Sequence, residues 1–180
     1  MMSLESTTRR KRVKLAEGDL FEFAISDGRL GYGIIIRRGA LKNGGTPYIA
    51  LFHGLYDERP DLEQLARVGI ALAGWTMDGL FYHGQWNVIW HDVALPVVPF
   101  PNFKVGMGGK FYVTDVDGNL IDEATPDELE LLDHQFSRTP TGFQNAFEAM
   151  HGLKSWTEND EKLTPVYAEA RVTRSSSKYK

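Results

Sequence analysis

Residues 18–38 read GDLFEFAISDGRLGYGIIIRR and constrain the fold more than any other stretch of the chain. Polar and apolar side chains alternate over residues 19–25, which is the two-residue period of a strand with one buried face. A turn is expected at residues 26–29, because its Asp-Gly pair suits positive φ and local side-chain hydrogen bonds. Residues 30–37 return as a second strand, where two glycines flanking a tyrosine indicate a bend or a close backbone approach. The stretch predicts a β-hairpin and carries no catalytic motif.

Further strands and a few short helices are predicted after this hairpin. An Asp-Gly pair at residues 117–118 predicts a second, two-residue hairpin turn, and a capping box that starts at Thr125 predicts a helix. The other predicted elements are strands at 48–52, 86–89, 110–114 and 119–121 and helices at 60–66 and 141–150. We therefore expect an α+β, mainly β fold. Its core would be a strongly bent antiparallel sheet or partial barrel, with two or three short helices mostly near the carboxyl end.

Charge is distributed unevenly along the chain, although the formal net charge is only −4. Residues 1–14 hold five bases and one acid, and residues 171–180 hold four bases and no acid. That leaves 11 bases and 23 acids over residues 15–170, so the body is near −12 and both ends are basic. Acidic surfaces attract basic partners, whereas the plainer interpretation is that these acids form solvated faces.

Length and composition predict one folded body between two tails. A chain of 180 residues with 42% hydrophobic and 12% aromatic residues can bury a core. We expect a disordered basic arm at residues 1–12, a single β-rich domain at 13–168 and a flexible basic tail at 169–180. The chain has no cysteine, no apolar run near the roughly 20 residues of a membrane span, and no hydrophobic stretch after its basic start. These features predict a cytoplasmic protein without a membrane partner.

Motifs for catalysis, cofactors and metals are not recognisable in the sequence. The glycine-rich segments at 42–45 and 106–109 lead into no predicted helix, so neither is a phosphate loop. Residues 115–119 imitate the start of a calcium loop, but the glycine and the final ligand are misplaced, which favours a hairpin turn. We predict no enzyme, no cofactor and no metal site. A small hydrolase or ligand-binding enzyme stays open as an alternative, built on three histidines and nearby carboxylates: His53, His83 and His91.

Three short motifs stand within residues 13–103: a Gly-Asp-x-Phe strand start, Gly-Tyr-Gly before an aliphatic strand, and Trp-Asn-Val-Ile before a proline-rich extension. Their residues include Gly18, Asp19, Phe21, Gly31, Tyr32, Gly33 and Trp86. This combination resembles the immunity protein 26 family of bacterial polymorphic toxin systems. The resemblance implies a small, largely β, cytoplasmic antidote that binds a cognate protein toxin and needs no catalysis, with these seven residues in structural roles.

An acidic body is suited to a basic partner, such as a nuclease-type toxin whose active site it would block. The predicted contact residues are Asp57, Glu58, Asp61 and Glu63 in a first acidic cluster and Asp122, Glu123, Asp127 and Glu128 in a second. A further alternative is a β-barrel regulator that binds nucleic acid through the basic tails. Nucleic-acid binding that falls steeply with salt and is lost when residues 1–12 and 171–180 are removed would favour that alternative.

Overall fold

The computed structural model describes residues 14–39 and 45–174, and its strands form two antiparallel sheets. The strands are β1 Leu20–Ala24, β2 Leu30–Arg38, β3 Pro47–Phe52, β4 Ile70–Trp75, β5 Trp86–Trp90, β6 Phe103–Met107, β7 Lys110–Thr114 and β8 Leu120–Glu123. The first sheet has the strand order β4-β3-β2-β1-β5, and the second has the order β6-β7-β8. Within the described ranges neither sheet closes into a barrel. The predicted class, α+β and mainly β, is confirmed.

Short helices connect the strands and fill the carboxyl-terminal part of the described chain. They are α1 Leu62–Arg67, α2 Gly79–Tyr82, α3 Pro126–Leu131, α4 Pro140–Met150, α5 Glu158–Glu161 and α6 Pro165–Glu169. The capping box predicted at Thr125 is confirmed, since its side chain accepts a hydrogen bond from the Glu128 backbone N–H. The cap of α4 is Thr139, two residues before the predicted start at Thr141. Over the residues described here, no helix has both the length and the apolar character needed to span a membrane.

The hairpin predicted at residues 117–118 has a longer turn than expected. A 3.0 Å hydrogen bond from Asp115 N to the Asn119 carbonyl closes a three-residue loop. The Asp115 carboxylate accepts the backbone N–H groups of Asp117 and Asn119, at 3.0 and 2.9 Å, and so stabilises this turn. The two-residue turn lies instead at residues 108–109, both glycines with positive φ, where the sequence predicted only a loop.

Two strands, β4 and β6, were missed by the sequence analysis. Strand β4 reads IALAGW and is largely buried, so it lacks the polar-apolar alternation of a half-exposed strand. Strand β6 reads FKVGM and runs through part of the glycine-rich segment interpreted as a loop. Strand β4 extends the first sheet beyond β3, and β6 pairs with β7 in a second sheet, so the fold has two sheets in place of the one bent sheet expected.

Both faces of the first sheet are covered, and this accounts for its two hydrophobic clusters. On one face Phe21, Phe23 and Trp86 pack with Phe143 and Phe147 of α4, and the Phe21 and Trp86 rings stack with centroids 5.0 Å apart. On the other face the cluster includes residues of β1–β4, of the second sheet and of the connecting segments: Leu20, Tyr32, Ile34, Trp75, Val98, Phe103 and Val116. Burial on both faces removes much apolar surface from water and stabilises the sheet.

Helix α4 is tied to the first hairpin by polar contacts as well as by its aromatic face. Gln144 Nε2 donates to the Ala24 carbonyl at 3.1 Å, and Ser26 donates to the Glu148 carboxylate through its N–H at 3.2 Å and its hydroxyl at 3.0 Å. Burial raises the pKa of Glu148, but hydrogen bonds from Lys154, Ser26 and Gln144 outweigh burial and hold that pKa below its usual value. The carboxylate is therefore a fixed acceptor between helix and hairpin.

The two glycines of β2 are explained by the aromatic rings beside them. A Cβ placed on Gly33 would lie 2.4 Å from Phe21 Cζ and 2.6 Å from Leu51 Cδ2. A Cβ on Gly31 would lie 2.5 Å from the Phe23 ring. The close approach at these glycines is made by side chains of β1, β3 and α4, which occupy the space that a Cβ would need.

We expect Gly33→Ala to lower the free energy of unfolding by about 1–2 kcal/mol, because the added methyl overpacks a filled core. Urea denaturation monitored by tryptophan fluorescence measures this change. The matched control is Gly79→Ala at the start of α2, where a Cβ would meet nothing within 4 Å. Equal unfolding midpoints for the two variants would contradict the expectation.

Candidate partner-binding surface

The first acidic cluster lies on the segment that leads into α1 and on its first turn, and all four of its side chains are exposed. Asp61 caps the helix, because its carboxylate accepts from Gln64 N at 2.8 Å. Glu63 pairs with Arg67 one turn later. Asp57 and Glu58 have no side-chain hydrogen bond or ion pair within residues 14–39 and 45–174, although the Asp57 charge is near enough to Arg29 to attract its guanidinium. These two carboxylates are available to an outside partner.

An apolar groove lies beside this cluster, between α1 and the segment that follows β5. It has a volume of about 250 Å³. It is lined by Leu20, Phe52, Leu62, Leu65, Ala66, Val68, Val93, Ala94, Leu95 and Pro96. Leu62 and Leu95 keep 41% and 46% of their surfaces exposed, whereas Leu65 is buried. Protein interfaces commonly have an apolar centre bordered by polar and charged side chains, and this surface has that arrangement.

The second acidic cluster is largely engaged within the protein. Asp122 pairs with Arg174 at 3.0 Å, and Glu123 pairs with Lys110 at 2.7 Å. Glu128 is buried and accepts from Arg174 Nε at 2.8 Å and Nη2 at 2.7 Å. The Arg174 guanidinium, with the Thr125 backbone and hydroxyl groups, lowers the pKa of Glu128 to about 2 despite burial. Only Asp127 of this cluster is exposed without an ion pair in the described ranges.

The predicted domain boundaries stay a prediction, although the carboxyl-terminal one falls close to these contacts. Residues 1–12 lie outside the described residues, as do residues 175–180 of the predicted tail. In the described part of that tail, the backbone N–H groups of Thr173 and Arg174 donate to Asn102 Oδ1, each at 2.9 Å. This part of the tail is attached to the body.

The seven motif residues are all buried and lie in or beside the first sheet. Asp19 shows what the Gly-Asp pair does: its carboxylate accepts from Ala16 N at 2.7 Å and lies 2.6 Å from His91 Nδ1. Gly18 has φ +83, and its carbonyl accepts from Val93 N at 3.0 Å. The pair thereby joins the start of β1 to the end of β5, beside the groove.

The three histidines do not share a site. His53 follows β3, where its backbone N–H donates to the Gly69 carbonyl; the His83 ring packs on Tyr82; and His91 contacts Asp19. Among the described residues, no group of three or more histidines and carboxylates could hold a metal ion.

The groove itself was not predicted from the sequence. In the sequence, Leu62 and Leu95 look like any other apolar residues. No local sequence pattern distinguishes an exposed leucine from a buried one. The sequence indicated only the acidic residues on either side of Leu62, because of their charge.

Comparison with known proteins gives one match. A protein-family model described as Immunity protein 26 matches residues 16–132, which is well over half of the chain and includes β1–β8, α1–α3 and the groove. No curated protein sequence and no solved structure matches the chain.

Proposed function

The chain belongs to the immunity protein 26 family, and we propose that it is a non-catalytic, cytoplasmic antidote that neutralises a partner bacterial toxin by binding it. The observation that carries this proposal is the family match, which spans both sheets. A neutralising protein needs a stable scaffold and a complementary surface, and it needs no reacting groups. The two sheets and their buried motif residues supply the scaffold.

The first acidic cluster is the contact surface we propose for the toxin. Asp57 and Glu58 are exposed and have no internal ion pair among the described residues. They lie just before α1, and the apolar groove adjoins that helix. The acidic body would steer a basic protein toward this surface. Toxins that cleave nucleic acid must bind phosphates and so carry basic active sites, which makes a nuclease-type toxin the proposed partner class.

The second cluster contributes less to this proposal, because three of its four acids have internal partners. Replacing Glu128 would disturb the body as well as any interface. Asp122 and Glu123 would have to exchange Arg174 and Lys110 for groups of the toxin. Binding experiments on the first cluster are therefore easier to interpret.

The first test is capture of the partner and protection from it. The tagged chain is recovered from its native host at low and high salt, and mass spectrometry identifies a stoichiometric polypeptide with a carboxyl-terminal toxin domain. Co-expression with that domain should restore growth. A chain that captures no toxin and protects no cell would overturn the proposed function.

We expect Asp57→Lys combined with Glu58→Lys to weaken binding to the captured toxin domain about 10-fold, mainly through a slower association rate. Surface plasmon resonance at two salt concentrations measures both rates. The matched control is Glu158→Lys combined with Glu169→Lys, two exposed acids of α5 and α6, which should keep wild-type affinity. If both double variants bind as wild type does, the contact surface lies elsewhere.

A further inference from the structure

We propose that the apolar groove beside α1 receives one apolar side chain of the toxin, carried on a segment with Lys or Arg on either side of it. This inference rests on the proposed function, and it adds the location of the anchor and the chemistry of the toxin segment.

The size of the groove fits a single anchoring side chain. Its volume of about 250 Å³ exceeds the roughly 150 Å³ of an engineered cavity that admits benzene, so an aromatic or branched aliphatic group fits. Each of its ten lining residues is alanine, valine, leucine, phenylalanine or proline. A polar side chain would lose its hydrogen bonds to water there and find no lining side chain to replace them.

The walls of the groove differ in exposure in the way an anchoring pocket requires. Leu20 and Leu65 are 1% exposed and form the floor, whereas Leu62 and Leu95 are 41% and 46% exposed and form the rim. Val97, just beyond the lined segment, is 98% exposed. Covering the two rim leucines removes apolar surface from water, and central pockets of this kind hold the residues that dominate binding energy.

The charge around the groove selects the flanking residues of the incoming segment. Asp61 is the chain neighbour of Leu62, with Asp57 and Glu58 a few residues earlier, whereas Glu63 on the other side of Leu62 is paired within the chain. The nearby bases are already engaged, since Arg59 binds Glu22 at 2.6 Å and Arg67 binds Glu63. A segment with acids beside its apolar residue would be repelled, and a segment with bases would be attracted.

Charge also disfavours a second copy of this chain as the occupant of the groove. The body is near −12 over residues 15–170, so two copies joined at their acidic α1 surfaces would repel each other. The chain's own basic residues 1–12 are a competing occupant, and the experiment below separates them from the toxin.

The test uses the full chain and the toxin domain captured with it. Leu62→Ser combined with Leu95→Ser removes the rim without changing charge, and we expect toxin binding to weaken about 10-fold or more through faster dissociation. The matched control is Leu120→Ser combined with Val166→Ser, since these side chains are 51% and 71% exposed outside the groove. That control should bind as wild type does, and thermal unfolding checks that both variants fold.

A photoreactive p-benzoylphenylalanine at position 95 then identifies what occupies the groove. Mass spectrometry should find the cross-link on a toxin segment in which an apolar residue is flanked by Lys or Arg. A cross-link to an acidic or neutral segment, to a second copy, or to residues 1–12 of the same chain would overturn the inference. Wild-type binding by the rim variant would also overturn it while leaving the antidote function in place. Absence of toxin binding by the wild-type chain would overturn both this inference and the proposed antidote function.

Discussion

Replacing Phe147 by alanine is expected to lower the free energy of unfolding by about 3–5 kcal/mol, a large share of the total for an ordinary domain. Phe147 is fully buried on α4, and its ring meets the Phe23 ring edge to face with centroids 5.3 Å apart. Its Cε1 atom would lie 2.8 Å from a Cβ on Gly31, so it fills the space that this glycine leaves. Alanine would leave a cavity between the helix and the sheet.

Urea denaturation at neutral pH measures this loss. The control is Val166→Ala on α6, where the side chain is 71% exposed and the change should stay within about 0.5 kcal/mol. The result bears on the extent of the fold, because α4 lies after residue 132, where the family match ends. A loss below about 1 kcal/mol would mean that α4 is attached only loosely, contrary to the packing described above.

Acidification is expected to destabilise the wild-type chain more than the Glu128→Gln variant. The pKa of Glu128 is lowered from 4.5 to about 2 in the folded state, first by Arg174 and then by Thr125. A carboxylate with a depressed folded pKa stabilises the fold above its unfolded pKa, and this contribution is lost as the pH falls toward the folded pKa. The loss attributable to Glu128 between about pH 5 and pH 2 is up to about 3 kcal/mol.

The measurement is the difference in unfolding free energy between wild type and variant, taken at several pH values. Other carboxylates titrate in both proteins, so the difference isolates Glu128. It should be largest near neutral pH and shrink as the solution becomes acidic. The matched control is Asp127→Asn, which changes an exposed carboxylate on the same helical turn. A difference that stays constant over the whole range would show that Arg174 does not hold Glu128 in its charged form.

Local signals in the sequence were sufficient for several elements. The alternation over residues 19–25 and the Asp-Gly turn predicted the first hairpin, and the structure places β1 and β2 on either side of Gly28, which has φ +91. Helices α1 and α3 begin close to their predicted starts, because Asp61 and Thr125 form capping boxes within four residues of chain. Such signals are readable because all their interacting groups are near neighbours in the sequence.

Contacts between distant residues decided the rest. Glu128 belongs to an acidic run in the printed chain, but Arg174, 46 residues away, makes it an internal partner. Strand β4 shows no alternation of polar and apolar residues, because elements from distant parts of the chain bury it. The groove forms only because residues 93–96 lie beside α1 in the folded chain. The sequence by itself determined the class of fold, the first hairpin, the charge of the body and the resemblance to the immunity protein 26 family. Only the tertiary structure decided which acids face outward and where an apolar groove adjoins them, because exposure depends on which remote segments pack against a residue.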